Sequence, residues 1–391
     1  MSLRVIHVIP GVWEHTGGPA EVVPRLCQGL VAKGCKVTLM TLDGRHSQSA
    51  LASMRAGVDL RSYPVLGRFG LWYSPALAKD LAVMSPSADI IHIHGMWLYP
   101  NWIAGNVALS HKTPFIVTPH GLLGFSHRRR SRLKKALAWH MCDKHYIRRA
   151  SCIHLFSRFE VPAVRSLRIT APIGVIPNGV DIWSLPEPCN FVQRYPELAN
   201  KKLVLFLGRV HPTKGIYDLI DAWAELAVKY TDWHLVIVGN IEQRESRSIN
   251  NAIEKNRLRR HLTVAGPQYD DARLEAYAAA DVFVLPSYAE GFPVSLLEAL
   301  ACSIPVVYTS ACNFPEASQC GAGYTYDAGV DGLVTHLHRI LCLDDSERRE
   351  MGRQGHKLIV DRYSWDIVTT EMLSLYEWLL GSSEPPPHIQ F

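Results

Sequence analysis

An α/β protein built from two Rossmann-like, doubly wound domains in sequence is what three observations predict. At 391 residues the chain exceeds what one core serves comfortably, and two domains of about 150–200 residues are expected. Short β-branched runs alternate with longer stretches of helical period, the pattern of parallel strands joined by helices. That rhythm runs twice, and a polar segment with three prolines, 184–202, reads as the linker between the two series.

In the first series "LRVIHVIP" (3–10) is a strand. Residues 19–34 form a helix, with Pro19 near its first turn and Gly34 at its stop, and "KVTLMTL" (36–42) is the next strand. Further strands are "DIIHIHG" (89–95), "PFIVTPHG" (114–121) and "SCIHLFS" (151–157), and the turn residues of "IPNGVD" (176–181) end the series. The second series has strands at 202–209, 234–239, 262–267, 281–287 and 304–310, and a helix at 216–230. The expected domains are therefore 1–183 and 184–364, followed by a helix from Trp365 that is free to pack back on the first domain. The tail "SSEPPPHIQF" is expected to fray. Ligands of open parallel sheets bind outside the carboxyl ends of the strands. The loops "GVWEHTGGP", "HGLLGFS", "GRVHPTKG", "GPQYDD" and "SYAEGFP" follow strands, and two domains facing each other would set these loops across one cleft.

Composition narrows the class. No apolar run is long enough to span a bilayer, and the N-terminus lacks a basic segment and a small-residue cleavage site, so a cytoplasmic protein is expected. Nine cysteines form neither a CxxC pair nor a zinc-ligand cluster, which fits free thiols in a reducing compartment. The net charge of +5 is uneven. Residues 1–183 carry 22 Lys/Arg against 9 Asp/Glu, or +13, and the remainder carries −8. An anionic partner for the first half is one reading, and two differently charged solvated surfaces is the other.

Two motifs of the second half bear chemistry. Gly208-Arg209 ends a strand, and Lys214-Gly215 opens a helix five residues later; fixed cations at a helix start suit phosphate, although surface charges on a turn would look the same. "YAEGFPVSLLEAL" (288–300) holds Glu290 and Glu298 with seven residues between them. Pro293 suits a helix start, which places Glu298 roughly 6–8 Å into that helix at about 1.5 Å per residue. Unpaired amides at such a start would suit a pyrophosphate, Glu298 the two hydroxyls of a ribose, and Glu290 hydroxyls of a sugar at the other end.

These stretches resemble the retaining glycosyltransferases of family GT4, which have the GT-B fold. The resemblance runs through "IPNGVD" (176–181), "FLGRVHPTKGIYDLIDAW" (206–223), "LEAYAAADVFVLPSYAEGFPVSLLEALACSIPVV" (274–307), "TGGPAEVV" (16–23) and "TPHGLLG" (118–124), and so covers nearly the whole chain. It implies Glu298 on the ribose and Glu290 on the donor sugar. Arg209 and Lys214 fall on the diphosphate, together with the amides of residues 291–295 (Gly291, Phe292, Pro293, Val294 and Ser295). It further implies Gly17 and Gly18 as a loop near diphosphate and acceptor, His120 near the transferred sugar, and Gly239, Gln268 and Leu274 on the donor. Two departures stand out: "VGNIEQ" (238–243) replaces a glycine-rich turn, and "ACNFPEA" (311–317) replaces a paired glycine before Glu316. No D-x-D triplet occurs, so no metal is expected.

The resemblance implies front-face displacement of a nucleotide-diphosphate sugar without a required cofactor. The donor is a UDP- or GDP-hexose: UDP-glucose is the first expectation, because UDP-hexoses are common donors, and GDP-mannose the second. The acceptor is a glycan, such as a lipid-linked oligosaccharide of an exopolysaccharide pathway. A sugar-nucleotide epimerase on the same fold and a non-catalytic nucleotide-sugar-binding or membrane-docked scaffold are the alternatives. Finally, "HRRRSRLKKALAWHMCDKHYIRRA" (127–150) has helical period. Arg128, Arg132, Lys135 and Trp139 share one face, expected outward toward anionic lipid or a lipid-diphosphate-linked glycan, while Leu133, Ala136, Leu137 and Met141 are expected to face the domain. A peripheral position on a membrane follows from that reading, and nothing resembles a nucleic-acid module.

Overall fold

The computed structural model describes residues 2–12, 18–43, 57–66, 72–123, 137–187, 189–382 and 384–391. They form two compact units: Met1–Gly179 with Trp365–Phe391, and Val180–Ser364.

The first unit is built on strands β1 (Arg4–Val8), β2 (Lys36–Leu42), β3 (Asp59–Tyr63), β4 (Ile90–His94), β5 (Phe115–Thr118), β6 (Cys152–Leu155), β7 (Ile173–Val175) and β14 (Ile389–Gln390). Their order is β14-β7-β6-β5-β4-β1-β2-β3, parallel except for β14 against β7. Because side chains alternate across a strand, each strand feeds two cores. Ile6, Val8, Ile91, Ile93, Val117 and Ile153 fill one, and Val5, Ile90, Ile116 and Cys152 fill the other. The second core is covered by the helices Gly18–Ala32 and Trp365–Leu379, so the C-terminal helix packs on this unit.

The second unit is a parallel sheet of β8 (Lys202–Leu207), β9 (Trp233–Val238), β10 (Leu262–Gly266), β11 (Val282–Leu285), β12 (Val306–Thr309) and β13 (Gly323–Tyr326), ordered β10-β9-β8-β11-β12-β13. The step from β8 to β11 reverses the direction of strand order, the place where doubly wound sheets bind ligands.

Three local expectations are corrected. The segment 184–202 is not a bare linker: it holds the helix Cys189–Arg194 and a turn at Pro196–Leu198, and Phe191 and Leu198 are buried in the second core. Those two apolar side chains outweigh the proline-rich composition around them. The tail does not fray. Ile389 enters the core between the sheet and the helix Trp365–Leu379, and β14 satisfies the backbone of β7, which would otherwise be an open edge. The third concerns the stretch after the basic segment, whose cations lie outside the described residues. Trp139 is 8% exposed, whereas Leu137 and Met141 are 61% and 70% exposed. The inward face is the opposite of the one expected, because Trp139 continues the buried stripe of Tyr146 and Ile147 and removes more apolar surface than a leucine or methionine. A π-helical turn at Trp139–Asp143 accommodates it.

Candidate active site

In the second unit, Lys214 closes a 3-10 turn, Pro212–Lys214, and Gly215 follows in the left-handed region at φ 68° before the helix Ile216–Leu226. A Cβ on Gly215 would lie 2.0 Å from the carbonyl oxygen of Pro286, so only glycine allows this turn to rest on the end of β11. That close approach sets Lys214 beside the segment carrying Glu290. Lys214 Nζ donates to Glu290 Oε1 at 2.5 Å, and Ser287 Oγ donates to the same oxygen at 2.6 Å. The pair is sheltered, with side-chain exposures of 21% and 9%. Arg209 is exposed on the turn after β8. Gly239 is likewise forced: at φ 152°, a Cβ there would sit 1.8 Å from the carbonyl oxygen of Gly208.

Gly291, Phe292 and Pro293 lead into the helix Val294–Ala301, whose N-cap is Pro293. The amides of Leu296 and Leu297 donate to the carbonyl of Pro293, and that of Val294 to Phe292, so Val294's N–H is already engaged in a tight turn. Glu298, five residues into the helix counting Val294, is 4% exposed. Arg273 Nη1 lies 3.0 Å from its Oε1, and Tyr277 Oη donates to its Oε2 at 2.8 Å. Both partners come from the helix Asp270–Ala278, which also carries Leu274. Gln268 Nε2 donates to Ala265 O at 3.0 Å and to Tyr195 Oη at 3.2 Å. Glu298→Ala is therefore expected to have two effects: it removes the carboxylate that Arg273 and Tyr277 meet and leaves the tyrosine hydroxyl to its longer contact with the Ser295 carbonyl at 3.2 Å, costing about 1–3 kcal/mol of stability, and it raises donor KM more than it lowers kcat. Urea denaturation together with donor kinetics checks both; an unaltered unfolding midpoint would contradict the first.

In the first unit, Gly17 lies outside the described residues, as do Arg128, Arg132 and Lys135; Gly18 is exposed at the start of the helix Gly18–Ala32. His120 follows β5 with a left-handed φ of 51°. It does not stand alone. His120 Nε2 is 3.2 Å from His94 Nδ1, and His94 Nε2 is 2.9 Å from His7 Nδ1. His7 Nε2 is 3.5 Å from Tyr376 Oη, which lies 2.7 Å from His92 Nδ1. His92 Nε2 is 2.6 Å from Thr118 Oγ1, Thr118 is 2.8 Å from His154 Nδ1, and His154 Nε2 meets the carbonyl of Ile176 at 2.8 Å. His7, His92, His94 and His154 are fully or nearly fully buried. Burial pushes His7 and His120 down to about 3 and His154 to about 4, and holds His92 and His94 well below the usual range, so all five rings are neutral. His94, Thr118, His120 and His154 line a small recess with Phe156 and Asn178.

Two acids, the buried Asp143 and the half-buried Glu160, brace the neighbouring loops. Glu160 accepts the amide of Phe156 at 3.1 Å and is raised to about 7 by burial. Asp143 accepts the amide of Trp97 at 3.3 Å and the hydroxyl of Tyr146 at 3.0 Å, and burial raises it to about 6.

The structure thus joins Lys214 directly to Glu290 and gives Glu298 partners of its own. Sequence reasoning singled out neither Arg273, Tyr277 and Ser287 nor the four strand histidines and Tyr376. A signal for the histidines was present: "IIHIH" places two rings at alternate positions of an otherwise apolar strand, hence on one sheet face, and "VIHV" and "CIHL" each place one ring in an apolar strand.

Two doubly wound parallel-sheet α/β domains are the architecture of the GT-B fold. Residues 190–358 match the model of the glycosyl transferases group 1, and residues 17–179 that of the glycosyl transferase 4-like domain. Together the two models span most of the chain, which belongs to the group 1 glycosyltransferases of family GT4. It is 24% identical over 388 residues to an uncharacterised glycosyltransferase of Methanocaldococcus jannaschii, covering 93% of this chain and 96% of that protein. It is 30% identical over 247 residues to the phosphatidyl-myo-inositol mannosyltransferase of Mycobacterium leprae, where the match spans 62% of each chain. Among solved structures, Anabaena HepE in complex with UDP and glucose superposes with a TM-score of 0.78 at 17% identity, over 96% of this chain and all of that one.

Proposed function

We propose that the chain is a retaining hexosyltransferase that moves a sugar from a nucleotide-diphosphate donor to a hydroxyl of a glycan, with UDP-glucose as the first donor to test and GDP-mannose as the second. The Lys214–Glu290 pair is the observation that carries this reading, because it sets a cation for the leaving diphosphate against a carboxylate for sugar hydroxyls. In the proposed reaction the bond between the anomeric carbon and the diphosphate oxygen breaks as the acceptor oxygen approaches from the same face. The acceptor's proton passes to the departing diphosphate. Lys214 and Arg209 stabilise the charge growing there, each worth about 3–4 kcal/mol by analogy with oxyanion donors, and Glu290 orients the sugar. Since the protein supplies these cations itself, turnover is proposed to need no metal. Support for a mannosyl donor comes from the mycobacterial relative, and for a glucosyl donor from the ligands bound to HepE.

A panel of nucleotide sugars, with the released nucleotide and the anomer of the product identified, tests this. Release of UDP or GDP with the donor's anomeric configuration kept is expected, and it persists in EDTA. An inverted product, or complete loss in EDTA restored by Mg²⁺, would overturn the corresponding part.

The acceptor is proposed to be lipid-linked and the protein to work at an anionic membrane surface. No helix among the described residues is long and apolar enough to cross a membrane. The +13 charge of residues 1–183 and the exposed Leu137 and Met141, directly after the basic segment, are what an interfacial contact needs. Each cation near such a surface contributes about 1 kcal/mol. Binding to anionic but not neutral vesicles is expected in sedimentation, weakening with salt and disappearing in the Arg128/Arg132/Lys135→Glu variant. Equal binding by variant and wild type would leave only a solvated segment.

A further inference from the structure

The hydrogen-bonded chain behind His120 has a fixed direction. The carbonyl of Ile176 can only accept, so His154 carries its proton on Nε2 and presents Nδ1 as an acceptor. Thr118 therefore donates to His154, and its oxygen accepts from His92 Nε2–H. His92 Nδ1 must then accept from the hydroxyl of Tyr376. With that hydrogen committed, the Tyr376 oxygen accepts from His7 Nε2–H across 3.5 Å, the longest link. The same reasoning makes His94 Nε2 the donor to His7 and His120 Nε2 the donor to His94. Every ring ends as the Nε2–H tautomer, and the lone pair left over is on His120 Nδ1, which makes no hydrogen bond to a described residue.

We propose that His94, His7, Tyr376, His92, Thr118 and His154 are positioning residues that lock His120 as a neutral Nε2–H imidazole, so that its Nδ1 accepts a hydrogen bond from a hydroxyl of the bound sugar or acceptor. The proposal rests on the glycosyltransferase reading for what His120 meets, but not for the lock itself. Its physical basis is that a buried ring cannot change tautomer alone: reversing one link leaves two donors or two acceptors facing each other. Tyr376 ties the C-terminal helix into the lock, which gives the return of Trp365–Leu379 to the first unit a role beyond packing. His7, His92 and His94 also bring ligand atoms within 4.8 Å of one another, the spacing a cation could use. All six of their nitrogens are already committed to neighbours in one consistent direction, which favours the hydrogen-bonded chain.

Two-bond ¹H–¹⁵N spectra of the full chain labelled with ¹⁵N-histidine report the tautomer of each ring, assigned by single His→Gln variants. Five Nε2–H signatures are expected in the wild type and in Thr118→Ser. Thr118→Val removes the link between His92 and the anchored His154, and Tyr376→Phe removes the next one. Either variant should give His120 a mixture of tautomers and lower kcat about 10-fold, the worth of roughly one hydrogen bond, with donor KM within about two-fold and recovery in the serine variant. An Nδ1–H His120 in the wild type, unchanged tautomers in both breaking variants, or stoichiometric zinc bound to the three rings would overturn the lock. If the wild type shows five locked rings but transfers no sugar, the glycosyltransferase reading fails and the lock stands.

Discussion

Acidification from pH 7.5 to pH 5 is expected to destabilise the unit Met1–Gly179 with Trp365–Phe391 by at least about 2 kcal/mol, a sizeable share of the roughly 5–15 kcal/mol that holds a domain folded. His7, His92, His94, His120 and His154 remain neutral in the folded state because burial penalises their charged form. In the unfolded chain each binds a proton below its ordinary value of 6.5. Their folded values are depressed, so the unfolded state binds more protons below that point and stability falls with pH, by about 1.4 kcal/mol per unit for each ring. At pH 5, His7 and His120, held to about 3, and His154, held to about 4, together cost about 6 kcal/mol, and His92 and His94 add to that in the same direction. Glu160 and Asp143 act in the opposite sense. Their folded values, about 7 and about 6, lie above the unfolded ones, so the folded state gains protons first and recovers about 4 kcal/mol over the same interval. The histidines win. Urea denaturation at constant ionic strength, followed by near-ultraviolet circular dichroism, should show the loss between pH 6.5 and 5. His7→Gln should shrink it by about 2 kcal/mol, one ring's share. A midpoint that does not move between pH 7.5 and 5 would show that these rings are charged in the native state.

The histidines also mark where the sequence stops being legible. Strands such as β4 and β5 are evident from their apolar runs, and the helices from their period, so the two-domain architecture can be read without coordinates. Short edge strands are not: β3 is "DLRSY", largely polar because an edge strand is only half covered, and β14 is two residues at the end of a proline-rich tail. The helix Cys189–Arg194 is hidden for the same reason, since a single buried phenylalanine fixes it against a polar background. Orientation is harder still. The stretch around Trp139 has an unambiguous period, but period does not say which face turns inward. That was decided by Tyr146 and Ile147, several residues further on.

At the candidate site the motifs are legible and their pairings are not. Lys214 and Glu290 are 76 residues apart, and their ion pair depends on Gly215 lying against Pro286, a contact no local pattern encodes. Glu298 stands out as an acid in an apolar helix, yet Arg273 and Tyr277, which make its burial tolerable, sit on another helix with no motif of their own. A buried charge in a sequence therefore implies a partner without naming it.

Lys214→Ala is expected to lower kcat by about 10²–10³-fold while raising donor KM far less, because the charge it removes matters most as the leaving diphosphate forms. The ion pair sharpens this expectation. With no donor bound, Lys214 already has a sheltered counter-charge in Glu290, so part of its attraction for a ground-state diphosphate is spent on breaking or sharing that contact. As the bond to the anomeric carbon opens, charge accumulates on the phosphate oxygen and competes better for the ammonium, and the interaction strengthens toward the transition state. Arg209→Ala should behave alike, and the double variant should lose less than the product of the two effects, since both cations serve one diphosphate. Glu290→Gln separates the roles. The amide keeps an acceptor for Ser287 and for sugar hydroxyls but releases Lys214 from its ion pair, so donor KM should fall or hold while kcat drops, because the sugar loses a charged partner. Glu290→Ala should lose both contacts and damage kcat further. Steady-state kinetics of the four single variants and the Arg209/Lys214 double variant, each checked for an unchanged unfolding midpoint, decide the matter. Wild-type kcat in both Lys214→Ala and Arg209→Ala would remove this cluster from the chemistry and leave the Lys214–Glu290 contact as a brace between two loops.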